Sequence, residues 1–366
     1  MRRLIALFLV LSALLSLVGC NLIPDLQTGH VHQYTDTMIS PSDTERGYTL
    51  HTCECGDSYA DAYFSASSGL EYELLTSGKY SVIGIGNCTD VSIVIPRSYK
   101  GIPVEVIGES AFEGCQDFWE ILIPDSVTTI EARAFSSSSF KHVNIPDSVT
   151  SIGDNVFYLC ERLGEIEIPD SVTHLGQNAF YCSGISNIVL GDGITEIKKG
   201  TFNSCDNLKS VTIPGSVTSI GEEAFYQCRK LESVTLNNGL ITISDYAFYG
   251  CFSLKSIHIP DTVTRIENQA FHSCHALENV IIGNNVTVIG TEAFTACAKL
   301  KSINIPKSVT LIKSDAFWLC PKLESAVFEE TTGWREGDNE ISPEILEDPA
   351  TAAEYLKTYT QPWIRK

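Results

Sequence analysis

A phenylalanine recurs ten times along this chain at an almost fixed interval. Phe112, Phe135, Phe157, Phe180, Phe202, Phe225, Phe248, Phe271, Phe294 and Phe317 are spaced 23, 22, 23, 22, 23, 23, 23, 23 and 23 residues apart. A small or short residue precedes each one, most often alanine, and in eight cases a cysteine follows three places later. Ser138 takes that place in the second coil, and Cys182 sits one place early in a coil one residue short. Self-similarity at this period marks a solenoid: one repeat cannot bury its own apolar face, and stacking supplies the core.

Residues 208–228, "LKSVTIPGSVTSIGEEAFYQC", show how one coil is expected to turn. Leu208, Val211 and Ile213 alternate as in a strand. Pro214, without an N–H for a ladder, ends it. Gly215 and Ser216 reverse the chain, and Val217 and Ile220 return inward through a second short extended segment. Ala224, Phe225 and Cys228 then follow at a spacing that suits a helical or 3-10 turn. At ~4.8 Å per rung, ten coils make a core roughly 45–50 Å long.

These segments, with "IPDSVTTIEARAF", "IPDSVTSIGDNVF" and "IPKSVTLIKSDAF", resemble the BspA-type leucine-rich repeat of bacterial surface proteins, over about residues 90–328. The resemblance implies a repeat solenoid: a right-handed coil with parallel β-strands on one face and short helical or 3-10 turns on the other. The matching residues are core and turn positions, so they specify a scaffold and no ligand. The repeated cysteines read as buried, reduced thiols, because side chains on adjacent rungs run parallel about one strand spacing apart. A disulfide needs its Cβ atoms ~3.8 Å apart.

The N-terminus reads as an export signal. Arg2 and Arg3 precede an apolar run from Leu4 to Val18, short for a membrane span and right for a signal core. Its end, Leu17-Val18-Gly19-Cys20, resembles the lipobox of bacterial lipoproteins, which implies lipidation of Cys20 and a location outside the cell on a membrane anchor. The expected organisation is a signal peptide at 1–19, a tether at 20–28, a small His/Cys module at 29–64, an N-terminal cap with an irregular first coil at 65–110, the solenoid at 111–328, and a C-terminal cap at 329–366. The N-terminal cap reads as a β-hairpin turning at Ser77-Gly78-Lys79. The C-terminal cap reads as a helix started by Asp348 and Pro349, with Trp334 and Trp363 over the last coil.

In the 29–64 module, His30, His32, Cys53 and Cys55 offer the ligand types of a tetrahedral structural zinc site. A disulfide through Cys53 and Cys55, or free thiols, are the other readings. The module resembles one that accompanies such repeats in exported proteins and ends "YTCxCG". In that pattern a further cysteine stands where this chain has Asp43.

No arrangement of nucleophile, base and orienting group emerges from the eight histidines, and "GIGNC" at 84–88 precedes no helix, so the chain does not read as an enzyme. His272 and His275 flank a core cysteine and are expected to face solvent. The net charge of −20 provides no basic patch for nucleic acid. Each coil has two strand positions that alternate with inward residues. They begin with Glu120 and Leu122, and run through Ser210, Thr212, Ser233, Thr235, Ser256, His258, Asn279, Ser302 and Asn304. They are expected to form a long, flat, mostly uncharged face. The function expected is non-enzymatic binding of a protein or glycan at the cell surface, as in adhesion, with membrane contact through the lipid anchor only. The alternative is an envelope structural or assembly protein with bacterial partners only.

Overall fold

The computed structural model describes residues 23–24 and 31–366; the signal-like segment, Cys20 and His30 lie outside them. The body is a solenoid of eleven rungs with parallel strands on two of its faces, whereas the sequence reading placed them on one. Sheet A runs from Ser92–Val94 through Ser210–Ile213 and Ser233–Leu236 to Ser325–Phe328. Its ladder is interrupted at three places along the stack. Sheet B holds the two-residue return segments, such as Thr129–Ile130, Ser219–Ile220 and Thr242–Ile243. The inward residue of every return, Ile130, Ile220 and Ile243 among them, is buried, and successive returns pair in parallel register except between His174–Leu175 and Glu196–Ile197, where the ladder breaks. Between the sheets the proline turns the chain: the Val217 N–H reaches the Pro214 carbonyl at 3.2 Å, as Val309 reaches Pro306 at 3.0 Å.

The third side of each coil is not helical. Residues 221–228 are a run of tight turns that also form a ladder. The N–H groups of Glu223, Phe225 and Gln227 donate forward to the carbonyls of Asp245, Ala247 and Tyr249 in the next coil, at 3.1, 2.8 and 2.6 Å. The intervening Ala224, Tyr226 and Cys228 donate three residues back, at 3.2, 3.1 and 3.3 Å. This alternation requires left-handed backbone two residues before and two after each phenylalanine. Glu223 has φ 57° and Gln227 φ 53°, and the pair recurs from Ser110 and Gly114 to Asp315 and Leu319. An α- or 3-10 helix would keep every φ negative and spend all its N–H groups within the coil.

The core is the column these sides enclose. The ten phenylalanines are wholly buried and stack ring on ring, with Phe225, Phe248 and Phe271 at 5.1 and 5.2 Å and nearly parallel. Beside them runs a column of hydrogen-bonding thiols. The Cys228 Sγ–H donates to the Phe202 carbonyl of the preceding coil at 3.0 Å, and Cys251 to Phe225 at 3.2 Å. Ser138 does the same toward Phe112. Cys182 is not a displaced member of this column. It occupies the left-handed position (φ 52°) and is only half-buried, while Ser183, fully inside, takes the core place and lies 3.5 Å from Cys205 Sγ.

At the N-terminal end, strands β1 (Tyr34–Ile39), β2 (Gly47–Cys53) and β3 (Ser58–Phe64) form an antiparallel sheet of their own. A hairpin, β4 (Glu71–Leu74) with β5 (Tyr80–Gly84), follows, and β5 starts sheet B by pairing in parallel with Ile102–Ile107. The loop after β1 lies on the first coil: the Arg97 N–H donates to the Pro41 carbonyl at 2.7 Å and Lys100 N–H to Asp43 at 2.8 Å. At the C-terminal end, α1 (Pro343–Glu347) and α2 (Pro349–Thr358) pack on the last strand of sheet A. Asp348 caps α2 by accepting from Thr351 N–H at 2.7 Å. Trp363–Arg365 then adds antiparallel to Leu311–Ile312, and Trp334–Glu336 and Asn339–Glu340 extend sheet B beyond it. Trp334 and Trp363 are buried there with Phe328 and Tyr359. Among the described residues no helix is long and apolar enough to cross a membrane.

Candidate functional site

Parallel pairing puts the outward residues of sheet A into columns. Ser210 stands beside Ser233, Ser233 beside Ser256, and Ser256 beside Asn279; Thr212 stands beside Thr235, and Ser302 beside Ser325. Ser210, Thr212, Ser233, Thr235, Ser256, His258, Asn279, Ser302 and Asn304 are all exposed. Thr212, Thr235, His258 and Asn304 sit between inward-facing neighbours, as Thr212 does between Val211 and Ile213, while Ser210, Ser233, Ser256, Asn279 and Ser302 open their strands and are each followed by an inward residue. Asn304 is engaged locally, its amide donating to Glu329 at 3.0 Å.

The face departs, at its N-terminal end, from the long, open strip expected. Its first rungs are closed: Glu120 is 5% exposed, and Leu122, His142 and Asn144 are half-buried. Ser92 Oγ–H donates to the Glu120 carboxylate at 3.2 Å, and His142 is its register partner on the other side. Burial pushes this carboxyl above its ordinary range, with the serine hydrogen bond pulling partly back. Asn144 turns inward on the neighbouring strand, bonding both the N–H and the carbonyl of Ile123 at 2.8 and 2.9 Å. Beside these rungs Trp119 is 44% exposed and carries the Lys141 ammonium and the Arg162 guanidinium, each 5.3 Å from its ring centre. Further on, exposed Val189 and Ile281 interrupt the polar column. A groove of about 460 Å³ opens at the ends of the 165–168 and 187–190 strands, lined by Glu167, Asp170 and Asp192 with Val189 and Pro169.

The turn side carries aromatic side chains that the strand face lacks. Tyr226, Tyr249 and His272 follow their phenylalanines by one place and stack at 4.9 and 4.7 Å, nearly parallel. Phe252 and His275 form a second, exposed stack at 5.0 Å. His272 is therefore half-buried rather than solvent-facing, and Cys274 between the histidines belongs to the core column, donating to Phe248 at 3.3 Å. The sequence signal for these stacks was present as an aromatic one place after the repeat phenylalanine in successive coils.

In the β1–β3 sheet, three of the four sequence-nominated ligands converge. His32, Cys53 and Cys55 have their ligand atoms within 4.8 Å of one another, with His32 Nδ1 3.2 Å from Cys55 Sγ. The thiols come from one tight β2–β3 turn, closed by Gly56 N–H to the Cys53 carbonyl at 2.9 Å and Cys53 N–H to the Asp57 carbonyl at 2.8 Å. Gly56, at φ 93°, supplies the left-handed residue that such a hairpin needs. His51 is held apart from this group: its ring nitrogens meet Asp36 at 2.6 Å and Asp61 at 2.9 Å. No other set of metal-ligating side chains of this kind occurs among the described residues.

The family model described as "BspA type Leucine rich repeat region" matches residues 86–209 and 195–324, in 6 copies. No curated protein matches the chain. Among solved structures, a leucine-rich cell surface protein of Faecalibacterium prausnitzii is similar at 25% identity and TM-score 0.40, covering 72% of this chain and 87% of that one. A leucine-rich repeat protein of Bacteroides ovatus is similar at 26% identity and TM-score 0.33, covering 71% and 87%. The pneumococcal vaccine antigen PcpA is similar at 20% identity and TM-score 0.44, covering 81% and 82%.

Proposed function

Because this chain belongs to the BspA-type leucine-rich-repeat family, whose members are typically bacterial surface proteins, we propose that it is a non-enzymatic binding protein of the cell surface. On this reading it is held outside the cell by lipid on Cys20 and presents sheet A to an extended protein or glycan, as in adhesion. The observation that carries the reading is the in-register hydroxyl and amide column from Ser210 through Ser233 and Ser256 to Asn279, with Thr212 beside Thr235. These exposed donors and acceptors repeat once per rung, on a backbone that parallel pairing makes rigid. An extended chain laid along the stack would meet the same polar group at each step. Such a surface favours many modest hydrogen bonds over one anchoring pocket.

The test is binding of the full chain to immobilised matrix proteins, glycans and neighbouring cells. Wild type is compared with a variant carrying Ser210→Arg, Thr212→Arg, Ser233→Arg and Thr235→Arg. Binding that the arginine block lowers at least tenfold, with the circular dichroism spectrum unchanged, supports the reading. No affinity for any of these targets, with live-cell crosslinks only to the bacterium's own envelope proteins, replaces it with the structural role. Radiolabelled fatty acid incorporated into wild type and absent from Cys20→Ser is the outcome expected for the anchor.

A further inference from the structure

The β1–β3 sheet lacks what normally holds a domain together. The outward and inward faces of β1 and β3 are almost wholly exposed, and within the strands only Gly47, Thr49 and Cys53 of β2 are buried. The molecule's hydrophobic core begins at Leu70 and includes no residue of this sheet. A unit of fewer than about 40 residues cannot bury enough apolar surface to fold unaided, and such units usually carry disulfides or a metal.

The structure places a staple where one is needed. The β2–β3 turn brings the Cys53 and Cys55 thiols together. His32, two residues ahead of β1, reaches them from the far side of the sheet, since Tyr34 pairs with Cys53 in register. Ligand atoms around a tetrahedral zinc stand roughly 3.5–4 Å apart, given bonds of about 2.3 Å to sulfur and 2.0–2.1 Å to nitrogen. The 3.2 Å from His32 to Cys55 would open by a few tenths of an ångström, and no pair within the 4.8 Å span of the set would need to close by more than about 1 Å. Two thiolates and an imidazole suit zinc and exclude the hard cations, which take oxygen ligands. We infer that His32, Cys53 and Cys55 bind a structural zinc ion that ties the entry to β1 to the β2–β3 turn. Its fourth corner is left to water. On binding, the two thiols release their protons to solvent, so the site forms with no redox change.

The experiment uses the full-length chain, purified in detergent with reductant removed, and measures zinc by mass spectrometry of the metal. Wild type and a core-column control, Cys228→Ser, are expected to carry about one zinc per chain. The double variant Cys53→Ser, Cys55→Ser is expected to carry at least tenfold less, and His32→Cys, which keeps a ligand in place, to retain the metal. Cobalt substituted for zinc should give the intense visible bands of a tetrahedral ion and a thiolate charge-transfer band, both lost in the double variant. Chelation should speed proteolysis within residues 31–64 in wild type while the solenoid stays intact. Metal-free wild type with both thiols reduced, a Cys53–Cys55 disulfide in unreduced protein from cells, or zinc retained by the double variant would each overturn the assignment. None of these outcomes bears on ligand binding by sheet A, so the two readings fail separately.

Discussion

At the residue scale, the positions flanking each phenylalanine carry the most unusual demand. Seventeen of the twenty are not glycine, and none is valine, isoleucine or threonine, which crowd a left-handed backbone most. Gln227→Val should therefore lower stability by about 1–2 kcal/mol, while Gln227→Gly should be neutral or stabilising, both read from thermal unfolding. This exclusion was legible in the sequence, yet a three-residue spacing of apolar side chains suggests a helical turn just as readily. Only the hydrogen bonds forward to the next coil separate the two. The thiol column shows the opposite case, because its burial followed from the repeat. Burial pushes Cys160, Cys205 and Cys274 up to about 12, so their reactive thiolate is scarce at neutral pH. A thiol reagent at pH 8 is expected to label Cys88, Cys115 and Cys182 in the native protein, with Cys55 added once metal is chelated, and to reach the buried column only after denaturation; native labelling of Cys228 or Cys251 would contradict this. Glu120 gives a pH dependence of definite sign. Its folded pKa lies above the ordinary 4.5, so the folded state holds this proton longer than the unfolded chain does. Stability from this group is thus lost as pH rises from 4.5 through the folded value, and Glu120→Gln should raise the melting temperature at pH 7 and flatten that slope.

At the element scale, the two ends of sheet B are extended by different means: a hairpin in front and three antiparallel strands behind. Trp363 sits in the first of these three with its indole N–H buried and without a partner among the described residues, whereas the Trp334 indole donates to the Glu330 carbonyl at 2.9 Å. Trp363→Phe should consequently be tolerated better than Trp334→Phe. Trp363→Ala should cost about 3–5 kcal/mol by emptying the space between Phe328 and Tyr359. Denaturant titrations of the three variants rank them directly. The strand of sheet A was readable from "LxxVxI", and its outward residues from Ser210 to Asn304 emerged as expected. The return segments were read as extended, but two residues give no periodicity, so their union into a second sheet was not legible. Nor was the closure over Glu120, whose carboxylate meets Ser92 of a neighbouring rung, a strand that Ser67 borders through Val94.

At the scale of the whole molecule, each coil packs and pairs with its neighbours, only long side chains such as Lys313 reaching one coil further, and length becomes a quantity that can be edited. Deleting residues 211–233, one full period, should leave a folded solenoid one rung shorter by ~4.8 Å in scattering, whereas deleting half a period should leave an insoluble chain. The repeat made the architecture legible; the ligand was not, because every repeated residue is occupied in packing or turning and the surface that varies has no period to read. The equal rungs have a mechanical consequence as well. Glu223, Phe225 and Gln227 bind their coil to the next, and Gly221 N–H reaches back to Ile197 at 2.7 Å, so each rung is gripped from both sides by similar bonds. Pulled at its ends, such a stack is expected to yield rung by rung, first at the seams where the strand ladders are interrupted. Each yield frees roughly 70 Å of slack, from about 23 residues at ~3.3 Å each, and so the molecule would behave under load as a shock absorber with evenly graded steps.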